Sequence, residues 1–303
     1  KTGLDRRFAT ALLQLARGNV YAMLVILVIS SEVLVFLVPT PPARAGLLAT
    51  TYLGILHGLG IRPPSNLGKV IMLGIPIFAV ITSASLITGA SVEVYSVGLF
   101  STLLHHDFTY ISWMLVNLPV TFLLCFAVLP VLMKLFPPEM TRIDGAQALI
   151  ARDLRQMGAL SVAEKKMIVL FGVMRLLWFS GISEVLPAEL ALAAVLFLPG
   201  VDILNWNEAQ KQVPWGIVVL YGASLSLALA LQQNGVVKWA TEIFIRQVGS
   251  PEVPVMAFVV IALTTVVRLG MTNMTGVVAT LFPLTVSLAA SMGLNPVWLG
   301  MVC

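Results

Sequence analysis

Five ionisable residues stand inside otherwise apolar stretches of this sequence: Glu32, Arg44, Glu93 and Arg268, with Arg175 in a shorter one. An unpaired charge at mid-membrane costs roughly 2.5–3.5 kcal/mol even on lenient scales, so each should face a protein interior or water. Arg44 follows the break Pro39-Thr40-Pro41-Pro42 by two residues, and Arg268 precedes the break Thr272-Asn273-Met274-Thr275-Gly276 by four. Both are placed to attract an anion. Both also suit a structural role, snorkelling or paired with Glu32 and Glu93, and spacing leaves the two roles open. A third polar break, Thr88-Gly89-Ala90-Ser91, carries hydroxyls and no charge. Interrupted helices offer N–H groups at helix starts, which favour carboxylates, and carbonyls at helix ends, which favour cations. Irregular backbone at membrane depth is tolerated only where it lines a cavity or is buried in protein, so the three breaks are the candidate sites. The plainer readings are an interhelical loop at the Pro-rich break and small-residue helix packing at Thr88–Ser91.

Other chemistry is not suggested. No His/Cys/Asp cluster falls at metal-ligand spacing, and no Gly-rich phosphate loop or nucleophile elbow occurs, so the chain does not read as an enzyme and implies no metal or organic cofactor. The two cysteines, Cys125 and Cys303, give no disulfide framework. The histidines His57, His105 and His106 sit near the borders of apolar spans, as interfacial polar residues do. A net charge of +4 is spread around those spans rather than gathered in one patch, so no nucleic-acid partner is implied.

The elements that must position these residues follow from hydropathy. With 58% hydrophobic and 11% charged residues and a mean hydropathy of +0.96, the chain departs from the ~25% charged composition of soluble domains, and its partner is the lipid bilayer. The pattern predicts an all-α membrane protein in two repeats. The first, residues 1–135, holds an amphipathic interfacial helix, an apolar hairpin at 20–59, a span at 69–104 too long to cross unbroken, and a span at 110–133. A polar linker occupies 136–166. The second repeat, 167–303, holds three spans, an interfacial helix at 236–248, a hairpin at 254–292 and the start of a further span. The order of interfacial helix, apolar helix, polar break and apolar helix thus occurs twice. Basic residues, six of them between Lys134 and Lys166, crowd one side, which the positive-inside rule makes cytoplasmic. With re-entrant hairpins the first opens to the cytoplasm and the second outward, giving an inverted-repeat transporter core. The chain reads as a fragment lacking the first and last spans.

Pro39-Thr40-Pro41-Pro42-Ala43-Arg44-Ala45-Gly46 resembles the Pro-Ser-Asn-Thr-Ala-Arg hairpin tip of the divalent anion/sodium symporter family, in the branch with citrate/succinate antiporters and plastid 2-oxoglutarate/malate translocators. Glu32 stands where that branch carries an acid. Trp206-Asn207-Glu208-Ala209, Trp215, Tyr221-Gly222 and Ser226-Leu227-Ala228 are similar to the family's second-half span, and Thr272-Asn273-Met274-Thr275-Gly276 with Pro283 to its second tip. The resemblance implies two re-entrant hairpins and a broken transmembrane helix whose tips hold a carboxylate substrate and sodium as coupling ion. It also implies a homodimer in the full-length protein and an elevator-like moving domain in a bacterial inner membrane. Carried over by position, Thr40, Arg44, Ser91, Arg268, Asn273 and Thr275 contact a di- or tricarboxylate, while Thr40, Thr88, Gly89, Thr272 and Asn273 contact the cation. Pro41 and Pro42 stand where the family has Asn and Thr, removing N–H and side-chain donors. The second tip aligns either through Thr272 and Asn273 or through Met274 and Thr275. Secondary transport of a small organic anion is the function implied, by antiport or sodium symport. The alternatives are a transport-inactive scaffold and a carrier of an inorganic oxyanion.

Overall fold

Helix starts in this chain are written in its caps. Asn19, Ser65, Thr109 and Ser161 each accept a backbone N–H of the first turn through their side chains, satisfying donors that a helix leaves unpaired. At Ser161 the arrangement is a full capping box with Glu164. The computed structural model describes residues 3–143, 145–181, 190, 191, 193, 194, 206–212, 215–236, 238, 239, 242, 243, 246, 253–271 and 274–302. Its helices are α1 (Leu4–Gln14), α2 (Val20–Leu34), α3 (Pro41–Gly58), α4 (Asn66–Ile81), α5 (Ser91–Leu104), α6 (Tyr110–Leu135), α7 (Ala146–Gln156), α8 (Val162–Phe179), α9 (Trp206–Gln212), α10 (Trp215–Gln233), α11 (Val253–Gly270), α12 (Met274–Ser291) and α13 (Pro296–Val302). Among the described residues there is no β-strand, only an isolated bridge between Asn19 and Arg142. Four of the described segments are long and apolar enough to cross a bilayer: Asn66–Ser85, Tyr110–Leu135, Val253–Gly270 and Met274–Ser291. The expected all-α membrane architecture is therefore what the chain adopts. Most of the expected span at 185–201 and much of the interfacial helix at 236–248 lie outside the described residues.

The chain divides into two units, residues 1–90 with 109–209 and residues 91–108 with 210–303. In the first, α2, α3, α4 and α6 pack around a core that includes Leu24, Leu27, Leu48, Ile71 and Cys125, all fully buried. Helix α2 has 15 residues and so a length of about 22 Å, short of the ~30 Å hydrocarbon thickness. The polar segment after α6 is folded, not a free tether. Ile143 N–H donates to Gly18 O (2.9 Å), Val20 N–H donates to Thr141 O (3.0 Å), and α7 buries Ala146 and Ile150 against α1 and α3. Arg7 of α1 pairs with Glu164 at 2.8 Å and also donates to the carbonyls of Met157 and Gly158.

In the second unit α12 is the central element, touching α5, α10, α11 and α13. Phe100 of α5 meets Phe282 of α12 edge to face at 4.7 Å and Phe108 at 5.1 Å. Gly300 lets α13 approach these rings: a Cβ there would lie 2.9 Å from Phe282 and 3.0 Å from Phe100.

Candidate functional site

The first polar break closes α2 and opens α3. Thr40 caps α3 in an extended conformation with no side-chain cap bond, and Pro41 and Pro42 occupy the first helical positions. Those two prolines remove two of the four N–H groups a helix start normally presents, leaving Thr40 and Ala43 as donors, with the positive end of the helix dipole behind them. The Thr40 side chain is exposed.

The long span unwinds earlier than its small-residue cluster suggests. Helix α4 ends at Ile81; short 3-10 turns at Thr82–Ser85 and Ile87–Gly89 follow, with Leu86 and Ala90 extended. Unwinding frees carbonyls, and side chains collect them. Arg44 Nη2 donates to Ala79 O (2.8 Å), Ser83 Oγ to Val80 O (2.6 Å), and Trp113 Nε1 to Ala84 O (2.9 Å). Each bond replaces a helical one, which is why the break can lie inside protein. Gly89 is required by contact rather than by backbone angle: a Cβ there would sit 2.0 Å from Ser83 O.

Two arginines fasten the tip to the break. Arg44, fully buried, donates through Nη1 to Val38 O (2.8 Å) and Gly89 O (3.0 Å). Arg175 of α8 donates to Phe36 O and to the Tyr110 hydroxyl, lies 3.4 Å from Thr88 Oγ1, and stacks its guanidinium over Trp178, Phe36 and Tyr110. Tyr110 and Trp178 are themselves parallel at 5.1 Å, and the Tyr110 hydroxyl is 3.1 Å from Thr88 Oγ1. Glu32, buried, accepts from Ser85 Oγ (2.9 Å), which also contacts Thr121 Oγ1 (2.7 Å). The Glu32 Oε1 atom has no hydrogen-bond partner.

Of the residues singled out from sequence, Arg44, Thr88 and Gly89 thus meet in the first unit beside the α3 start that Thr40 caps. In the second unit Ser91 is exposed in the first turn of α5, Arg268 is exposed in the last turn of α11, and Thr275 is buried in the first turn of α12. Thr272 and Asn273 lie outside the described residues. Sequence reasoning marked Arg175 only as an ionisable residue in a short apolar stretch, gave it no place in the site, and passed over Tyr110, Ser85 and Thr121. An arginine in an apolar helix was the available signal for the first; single hydroxyls in apolar helices carry none. Among the described residues no three His, Cys, Asp or Glu side chains gather as a metal site.

The arrangement has the parts that anion carriers use: an unwound backbone, a helix start and buried cations. The family described as the sodium:sulfate symporter transmembrane region matches residues 1–303. The chain belongs to that family. It is an integral membrane protein of a transporter family, not of an enzyme family. It is 22% identical to a membrane protein of Cupriavidus necator over 94% of this chain and 57% of that protein. It is 25% identical to the sodium-dependent dicarboxylate transporter SdcS of Staphylococcus saprophyticus over 67% of this chain and 42% of the relative. It is 24% identical to the L-tartrate/succinate antiporter of Escherichia coli over 96% of this chain and 61% of the relative. The chain spans about half the length of the curated relatives it matches.

Proposed function

We propose that this chain forms the core of a secondary transporter for small organic anions, di- or tricarboxylates, working by elevator-type alternating access. The observation that carries the reading is the first tip: Thr40 is exposed at the positive end of α3, and the buried Arg44 charge lies one turn behind. Hydrogen bonds to the Val38, Ala79 and Gly89 carbonyls hold the guanidinium behind the helix start, where its positive charge adds to the helix dipole that a carboxylate at Thr40 would meet. The names of the dicarboxylate and tartrate/succinate relatives support the substrate class. Substrate contacts are assigned to Thr40, Arg44, Ser91, Arg268, Asn273 and Thr275. The two hairpins are re-entrant and inverted, the full-length protein is a homodimer, and it resides in a bacterial inner membrane.

Exchange is favoured over sodium symport. The cation ligands inferred were Thr40, Thr88, Gly89, Thr272 and Asn273, but Gly89 O is already held by the Arg44 guanidinium, and Thr88 is engaged with Tyr110. A sodium ion on Gly89 O would share its oxygen with a positive charge, which Coulomb repulsion disfavours. The experiment is uptake of labelled succinate, tartrate and citrate into proteoliposomes holding the full-length protein, with internal anion present or absent and with sodium or potassium outside. Uptake that needs internal dicarboxylate and ignores sodium supports exchange; sodium-dependent uptake into empty vesicles replaces it with symport. Competition by sulfate but by no dicarboxylate would hand the site to an inorganic oxyanion. Uptake by Asn273→Ala equal to the parent would remove the site assignment.

A further inference from the structure

At the far end of α3, about 20 Å from Arg44 by the helical rise, a cavity of about 340 Å3 opens between the C-terminal turns of α3 and the first two turns of α4. Its walls are apolar, with Leu53, Leu56, Ile61 and Met72 and the ring faces of Pro63 and Pro64. Its cationic lining is Arg62 and Lys69, with the His57 imidazole beside them, and all three side chains are exposed. Lys69 reaches Asn66 Oδ1 at 3.4 Å and lies 5.6 Å from the Phe136 ring centre; among the described residues the Arg62 guanidinium has no hydrogen-bond acceptor. The carboxylate that contacts this turn, Glu139, is occupied by the N–H groups of Asn66 and Leu67 and by the Ser65 hydroxyl.

We propose that this cavity is a binding site for one anionic phospholipid, its acyl chain between α3 and α4 and its phosphate on Arg62 and Lys69. Free phosphate would satisfy the cations but leave an apolar chamber of small-molecule size, within ~300–1,000 Å3, to water. A neutral lipid would fill the chamber but leave the cations unmatched. Only an anionic amphiphile fits both parts. Asn66, next to the Ser65 lining, starts a segment long and apolar enough to cross a bilayer, which puts the site at a headgroup border, and the count of basic residues puts that border on the cytoplasmic side. Basic pockets between membrane helices on that face recognise anionic headgroups. The assignment does not depend on which anion the protein carries.

The test is lipid retention by the full-length protein, purified in detergent and measured by native mass spectrometry with phosphatidylglycerol or phosphatidylcholine added. Phosphatidylglycerol should be held at least tenfold more tightly, and Arg62→Gln and Lys69→Gln should each weaken it about fivefold. Arg152→Gln, a cation of α7 away from the cavity, should change nothing. Leu53→Trp, which fills the chamber and leaves the cations in place, should also lose the lipid. Equal retention of both lipids, or insensitivity to both Arg62→Gln and Lys69→Gln, overturns the proposal. So does displacement of phosphatidylglycerol by millimolar inorganic phosphate, or retention unchanged in Leu53→Trp, since either would make the ligand an anion without a chain. Circular dichroism of each variant confirms that a loss is not unfolding, because an unfolded variant would also lose its helical signal.

Discussion

Replacing Gly89 by alanine tests whether the break is held by contact. The added Cβ would stand 2.0 Å from Ser83 O and 2.8 Å from Ser83 C, and real Cβ atoms essentially never come within 3.0 Å. The two strands of backbone must therefore part by at least about 1 Å. The Gly89 carbonyl then moves off Arg44 Nη1, now at 3.0 Å, to a separation near 4 Å at which no hydrogen bond survives. Overpacking of this kind costs about 1–3 kcal/mol. Losing a hydrogen bond from a charged donor costs about 1.5–3 kcal/mol. Together they predict a loss of about 2.5–6 kcal/mol, or, at ~2 °C per kcal/mol for a chain of this size, a fall in Tm of roughly 5–12 °C, read by thermal unfolding of the full-length protein in detergent. Gly54→Ala on α3, where an added Cβ meets nothing within 4 Å, is the control and should hold or slightly raise Tm through better helix propensity. A Tm for Gly89→Ala within about 2 °C of the parent would refute the reasoning, since Ser83 and Gly89 could not then be in contact.

Further outcomes follow from the same geometry. Arg175→Lys keeps the charge but loses the planar fork that reaches Phe36 O and Tyr110 together, and should lower Tm by several degrees and slow transport, as measured in detergent and proteoliposomes. Arg44→Ala strands the carbonyls of Val38, Ala79 and Gly89 in a buried site at about 1–3 kcal/mol each, so expression as a folded protein should fall sharply by size-exclusion chromatography. On the polar face, hydrogen bonds from Arg7 hold the Glu164 carboxyl below its ordinary value of 4.5, and the Asn66 and Leu67 N–H groups do the same for Glu139. A depressed value contributes stability above the unfolded value, lost as pH falls through the folded one. Tm should therefore decline as pH drops below about 4.5, and the decline should flatten in the Glu139→Gln, Glu164→Gln double variant.

The helices were legible because their signals are local. Apolar runs gave α4, α6, α11 and α12, and Ser161 with Glu164 is a capping pair readable three residues apart. The unwound stretch was read too late. Thr88-Gly89-Ala90-Ser91 is the visible cluster, yet unwinding starts at Thr82, because Arg44 and Trp113, distant in sequence, collect the carbonyls that it frees. The polar segment read as a linker because Ile150 and Ala146 are few among charges, and only the fold brings α1 to cover them. Arg175 had the same intramembrane signal as Arg44 but no polar break beside it in sequence; its partners Phe36, Thr88 and Tyr110 come from three other segments.

A common logic links these particulars. An unwound segment in a bilayer needs donors for its carbonyls, and a neutral side chain supplies one or two while a guanidinium supplies five on a rigid plane. Arg44 and Arg175 together serve Phe36, Val38, Ala79 and Gly89, so the first tip and the break are held by cations rather than by a polar loop. That accounts for Pro41 and Pro42 being tolerated at the tip. The prolines remove donors from a helix start, but the backbone around them is already fixed from behind by the Arg44 hydrogen bonds to Val38, Ala79 and Gly89, so the tip keeps its shape without those N–H groups.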